Sequence, residues 1–172
     1  MSQAGTTASP HSGDVPAGAD VVVVGAGITG AAIAHHLARR GVSVVVLEQS
    51  LRPGAGATGR SGGMVRAYDP DPAIAELALP SLAAYRDSGR WASGRAPLHA
   101  VGAVTGADPV REPALREAAG RINGALGASA HVVAARAEVA GIRLAGGIAL
   151  VEPEAGWVAP AEVTADWLEQ AG

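Results

Sequence analysis

The residues Gly25-Ala26-Gly27-Ile28-Thr29-Gly30 read G-x-G-x-x-G, a spacing that suits a turn from a strand into a helix. Gly25 permits the tight turn. Gly27 lets the backbone approach a pyrophosphate where a Cβ would collide. Gly30 lets the helix pack close to the sheet, and Ala34 continues that small face. A pyrophosphate would then rest on the positive end of the helix, where unpaired N–H groups point at it. Glu48 stands eighteen residues after Gly30, next to Gln49. A carboxylate there accepts hydrogen bonds from ribose hydroxyls and repels a 2′-phosphate, which argues against NADP. The plainer alternative is a glycine turn of an unrelated α/β protein, with Glu48 a solvated strand end.

The elements that must position these residues are legible on either side. Val21–Val24 is a continuous β-branched run, the pattern of a strand buried on both faces. Ile28 to Arg40 reads as an alanine-rich helix ended by Gly41. Val42 to Leu47 reads as a second buried strand. Strand, glycine turn, helix and strand make a right-handed βαβ unit, the context that the glycine motif requires.

A second glycine loop separates the candidate dinucleotides. Residues 56–66 read Gly-Ala-Thr-Gly-Arg-Ser-Gly-Gly-Met-Val-Arg. An NAD site has no need of such a loop directly after the acidic residue. FAD is longer, and its ribityl chain and ring must be threaded past the second strand by small residues and backbone N–H groups. This makes FAD the expected cofactor, although a flexible surface loop has the same composition.

At this point the chain resembles the D-amino-acid oxidase superfamily of FAD-dependent oxidoreductases, in the branch of glycine oxidase, sarcosine oxidase and dimethylglycine dehydrogenase. The likeness rests on the first strand, the glycine turn, Glu48 and the loop Ala57-Thr58-Gly59-Arg60-Ser61-Gly62-Gly63. It continues in Met64-Val65-Arg66-Ala67-Tyr68 and in Gly156-Trp157-Val158-Ala159-Pro160, where Ala159 replaces the usual Asp. The resemblance implies oxidation of a C–N bond in an amine or amino acid, with a hydride equivalent passing to the flavin and the imine hydrolysing. It implies that Gly25, Ala26, Gly27, Ile28, Thr29 and Gly30 hold the pyrophosphate, that Glu48 and Gln49 face the ribose, and that Thr58, Gly59, Arg60, Ser61 and Gly62 line the flavin side. Arg66 is the one catalytic candidate, as a group that attracts a carboxylate or the reduced-flavin charge; a surface arginine is the equal alternative.

The expected fold class is α/β, a Rossmann-type FAD-binding βαβ unit with an incomplete parallel sheet plus part of a second α+β substrate region. Residues 1–19 read as a flexible tail, 20–66 as the βαβ unit with its flavin loop, 67–155 as a partial substrate or cap region, and 156–172 as a return to the FAD domain. Further helices are expected over Ala73 to Arg86, with Ile74, Leu77, Ala78, Leu82 and Tyr85 at helical spacing, over Pro113 to Leu126, and over Ala161 to Gln170. A strand is expected over Leu98 to Val104, and Val151 to Pro160 reads as irregular or short strand.

Members of the resembled family are much longer, and their sheet gains strands after the last helix seen here. Three arrangements fit: a fragment, one half of a split enzyme completed by a second polypeptide, or a shortened non-catalytic dinucleotide-binding module; a homo-oligomer is the other possible partner. A flavoprotein hydroxylase-type N-terminal domain is the rival enzyme class.

Composition narrows the remaining classes. The chain has 172 residues, a net charge of −3 and no cysteine, lysine or phenylalanine. No cysteine means no disulfide, zinc thiolate or thiol catalysis. The arginines are scattered, so no nucleic-acid partner is expected. No run nears the ~20 apolar residues of a membrane span and Met1 to Ala19 lack an apolar core segment, so a soluble cytoplasmic protein is expected. An alanine-rich core buries little surface per residue, so the fold is expected to lean on cofactor or partner. His35 and His36 are adjacent and diverge on a helix, reading as surface or packing residues rather than a metal pair. Asp69 and Asp71 read as turn and cap residues, and Trp157 and Trp167 as packing.

Overall fold

The computed structural model describes residues 16, 18–134, 138–139, 142–143 and 147–172, so the expected tail falls almost wholly outside it. In chain order the elements are β1 (Val21–Val24), α1 (Ile28–Ala38), β2 (Val44–Leu47), β3 (Met64–Val65), α2 (Pro72–Arg86), β4 (Ala103–Ala107), α3 (Glu112–Leu126), β5 (His131–Ala134), β6 (Glu138–Val139), β7 (Ile142–Arg143), β8 (Ile148–Glu152), β9 (Gly156–Trp157) and α4 (Pro160–Ala171). They fall into two compact units. One holds residues 1–62, 91–93 and 159–172, and the other 63–90 and 94–158. The class is mixed α/β, as expected.

In the first unit β1 and β2 pair in parallel, Val21 opposite Val44 and Val24 opposite Leu47, with α1 as the crossover. α1 stops at Ala38 rather than Arg40. The Leu37 carbonyl accepts from both Arg40 N–H and Val42 N–H, and Gly41 takes φ +75°. Val42 is thus used in ending the helix, and β2 starts two residues later than the sequence suggests. α4 packs along α1, and Ala31 and Ala34 of α1 and Val163 and Thr164 of α4 are all buried.

The expectation that β1 and β2 are buried on both faces is corrected. Val23 is buried on the α1 side, but Val22 is 55% and Val24 84% exposed, and Leu47 is exposed beside Val24. Among the described residues the parallel sheet has two strands and one covering layer, so alternate side chains have nothing to pack on.

The second unit is built on an antiparallel sheet in the order β4-β8-β5, with Ala103 opposite Glu152 and His131 opposite Val151. The segment read as irregular thus contains, in its first residues, the end of the fully buried central strand β8. The strand expected at Leu98 to Val104 lies at Ala103–Ala107, because Gly102 takes φ +83° and breaks the run. α3 covers this sheet with Leu115, Ala118, Ala119 and Ile122, a helical stripe. Its outer face carries the pairs Glu112–Arg116 at 2.6 Å and Glu117–Arg121 at 2.7 Å, and Gly127 ends it in the left-handed region. α2 starts on Asp71, whose Oδ1 accepts from Ala73 N–H, and Asp69 Oδ1 accepts from Asp71 N–H, the cap and turn roles read from the sequence. Its apolar stripe is only half used. Leu82 is buried and Leu79 packs against the same core, whereas Ile74 and Leu77 are exposed. β3 pairs with β9, Met64 opposite Trp157, and β6 with β7.

Gly120 and Gly124 lie inside α3 with open space where a Cβ would stand. Each Gly→Ala change is expected to raise stability by about 0.5–1 kcal/mol, the helix-propensity difference. Urea denaturation checks this, and a loss of stability would contradict the open surroundings.

Candidate functional site

The expected cofactor residues 25–30, 48–49 and 58–62 all belong to the first unit, and Arg66 belongs to the second. Gly25 leaves β1 with φ +100°, a conformation that L side chains rarely adopt, and its N–H donates to the Leu47 carbonyl at 2.7 Å. Gly27 is the N-cap of α1 and offers no side-chain cap. The first turn of α1 holds no acidic residue, so no carboxylate of its own competes for the positive end.

The two glycine segments are stitched to each other. Gly54 N–H donates to the Ala26 carbonyl at 2.8 Å, and Ile28 N–H donates to the Thr58 hydroxyl oxygen at 2.9 Å. Thr58 is buried and opens a short 3-10 turn, Thr58–Arg60. A Cβ on Gly59 would fall 2.8 Å from the Gly54 carbonyl oxygen, so this glycine is required by the loop's own backbone. The loop from Gly54 to Arg60 is therefore a built structure on the α1 N-terminus. Sequence reading placed Thr58 on the flavin side and gave Gly54 no role. Hydrogen bonds between residues 28 and 30 positions apart leave no local signal.

Gly27 also gains a second reason. A Cβ there would stand 3.1 Å from Thr58 Oγ1, so the hydroxyl already occupies part of the space that the motif reserves. Of the N–H groups that open α1, Ile28 is thus capped, while those of Thr29 and Gly30 have no intrahelical partner by helix geometry. Thr58→Val is expected to cost about 1 kcal/mol of stability, as for other helix caps, with Thr58→Ser restoring it. Equal unfolding midpoints for Val and wild type would refute the cap.

Glu48 lies at the end of β2 with both oxygens engaged. Oε2 accepts from Ala26 N–H at 2.7 Å and Oε1 from Ser50 N–H at 2.8 Å. These bonds hold its carboxyl below the ordinary glutamate value, so it stays ionised through the neutral range. A carboxylate has about four acceptor directions, which leaves room for ribose hydroxyls. Gln49, Gly59, Arg60, Ser61 and Gly62 are exposed. A glycine cradle, a helix N-terminus free of acids and an ionised carboxylate at the strand end fit a phosphate-bearing adenine dinucleotide.

Residues 20–172 match the family described as DAO, FAD dependent oxidoreductase. The chain belongs to that family. Its members are FAD-dependent, which agrees with the cofactor read from the two glycine segments. The bifunctional protein MnmC of tRNA 5-methylaminomethyl-2-thiouridine biosynthesis from Verminephrobacter eiseniae is 30% identical over 159 residues, 89% of this chain and 25% of that protein. Gamma-glutamylputrescine oxidoreductase of Escherichia coli is 57% identical over 53 residues, 30% of this chain and 12% of that protein. The chain thus spans a quarter or less of these relatives. Among solved structures, L-amino acid deaminase from Proteus vulgaris superposes with TM-score 0.71 at 23% identity, over 95% of this chain and 40% of that one. L-proline dehydrogenase from P. horikoshii gives 0.70 at 24%, over 91% and 42%. At these identities the structures show a shared fold.

Elsewhere in this family member, Arg66 is half-buried and pairs with Asp69 at 3.8 Å. His35 is 3% exposed and packs by its ring near Trp167, which stacks on Trp91 at 5.7 Å. Burial, then His36 and Arg39, hold its imidazole below the ordinary value. It is a core residue, as the packing alternative had it. Trp157 is 41% exposed and stacks on His99 at 4.0 Å, so it is less a packing residue than expected. Among the described residues no cluster of metal-ligating side chains exists, and no helix is long and apolar enough to cross a membrane.

Proposed function

We propose that this chain forms the FAD-binding part of an oxidoreductase that oxidises a C–N bond of an amine or amino acid. The observation that carries the reading is the stitched pair of glycine segments beside Glu48, in a family that is FAD-dependent. In this reading the N–H groups of Thr29 and Gly30 and the turn Gly25–Ile28 hold the pyrophosphate. Glu48, flanked by Gln49, takes the ribose hydroxyls, and Thr58–Gly62 line the path of the ribityl chain. When bound, the flavin supplies the hydride acceptor for the C–N bond. The second unit supplies substrate contacts, with Arg66 attracting a substrate carboxylate. A net amine class is suggested by relatives whose names include a gamma-glutamylputrescine oxidoreductase and a methylaminomethyl-uridine biosynthesis protein. Turnover is assigned to a site completed by further polypeptide, in keeping with the apolar face that Val22 and Val24 leave exposed among the described residues.

The visible absorption spectrum tests this directly. Protein purified without added cofactor, and again after FAD addition and desalting, is expected to retain a flavin band that an amine bleaches once the site is complete. Folded protein that retains no flavin in either sample refutes binding by this chain alone. Retained flavin that no amine or amino acid bleaches, even in the completed site, refutes the oxidase reading and leaves a non-catalytic binding module.

A further inference from the structure

The buried carboxylate of Glu152 was not singled out by any motif, and the function above makes no use of it. Side chains alternate along β8, so Ile148, Leu150 and Glu152 share the face that packs with Leu115, Ile122, Ala67 and Tyr68. Glu152 therefore ends an apolar row and is 2% exposed. Its Oε2 accepts from Ala67 N–H at 2.8 Å and from Tyr68 N–H at 3.0 Å, across 85 and 84 positions of sequence. Its Oε1 is buried without a partner.

We propose that Glu152 is a proton-linked positioning residue for Arg66: Oε2 clamps the backbone of Ala67 and Tyr68 directly after Arg66, and ionisation at Oε1 draws the Arg66 guanidinium inward. Two bonds on one oxygen are within reach of a neutral carboxyl as well as a carboxylate, so the clamp holds in both states. The charges that act on the group are Arg66, from the clamped segment, and Glu154, two residues further on. Burial pushes the carboxyl up, against the two N–H bonds and Arg66, while Glu154 pushes it the same way as burial. The partnerless Oε1 is the geometric reason that burial prevails.

The direction of the linkage follows. A carboxyl that binds its proton more tightly in the folded state lowers stability as pH rises from the ordinary glutamate range through the raised folded value. An ionised Glu152 would attract the Arg66 guanidinium, which pairs with Asp69 at 3.8 Å, and so compete for it. Binding of an anionic group at Arg66 should then weaken as pH rises; this consequence rests on the substrate role given to Arg66 above, whereas the titration does not.

The test is a pH series of amide and arginine side-chain NMR spectra on the full chain, from about pH 4 to about pH 8, with no flavin needed. The Ala67 and Tyr68 amides and the Arg66 Nε–H are expected to share one midpoint above the free glutamate value of ~4.3. Glu152→Gln, which keeps the acceptor, should retain the folded spectrum and abolish that transition. In parallel, the carboxyl carbon of Glu152 in 13C-labelled wild type reports the same midpoint even if the variant fails to fold. A midpoint at or below the ordinary value, a transition that survives in Glu152→Gln, or an Arg66 signal that does not follow the carboxyl would each overturn the proposal. A failure of flavin binding would leave these signals unchanged.

Discussion

Gly30→Ala is expected to lose retained flavin and to destabilise the first unit by about 2–3 kcal/mol or more, the scale of overpacking in a tight site. A Cβ at position 30 would fall 1.9 Å from the Gly25 carbonyl oxygen and 3.3 Å from Val23 Cγ1. Alanine is the better helix former by ~1 kcal/mol, so propensity alone predicts the opposite sign. The clash decides, because its partner is backbone and cannot rotate away. Relief requires α1 to move off the turn, which pulls Gly27 and Ile28 from Thr58 and the turn from Glu48. Flavin absorbance after desalting, together with urea denaturation, checks both parts. Gly124→Ala serves as the control of opposite sign, since its Cβ meets nothing. A Gly30→Ala variant as stable as wild type would contradict the close approach.

Gly156→Ala is expected to be the most damaging single methyl in the second unit, at about 2–5 kcal/mol from overpacking and lost hydrogen bonds. The added Cβ would lie 1.9 Å from the His99 carbonyl oxygen and 3.1 Å from Ala100 Cα. At that bridge His99 N–H donates to the Trp157 carbonyl at 2.8 Å and Trp157 N–H to the His99 carbonyl at 3.2 Å. Forcing the strands apart breaks both bonds and separates the His99 and Trp157 rings, now 4.0 Å apart and 10° from parallel. Near-ultraviolet circular dichroism of the tryptophans should therefore change together with the unfolding midpoint. A lowered midpoint with an unaltered tryptophan signal would place the strain elsewhere.

The two glycines differ in how they could be found. Gly30 belongs to a spacing with a mechanism attached, so its task was readable one position at a time. Gly156 lies in a segment that resembles a family turn, but the carbonyl that demands it is His99, far away in sequence. The same contrast runs through the site. Glu48 was legible because it ends a β-branched run at the right distance from the turn. The anchoring of Thr58 on Ile28 was not, because nothing in Ala57-Thr58-Gly59 announces a partner thirty residues back.

Local patterns by themselves determined the βαβ unit, the four α-helices of the described residues to within a few residues, the glycine turn and a second glycine-rich loop. They did so because periodicity, capping residues and glycine conformations act over a handful of neighbouring residues. Tertiary structure alone decided that β1 shows two valines to solvent, that the sheet of the second unit is antiparallel with β8 at its centre, and that Glu152 is buried against Ala67 and Tyr68. A four-valine run reads as doubly buried whether or not a second layer exists, since burial depends on what lies across the sheet. Ala-Leu-Val-Glu gives no sign that its carboxylate ends a buried row, because the donors that make such burial tolerable come from a segment more than eighty residues earlier.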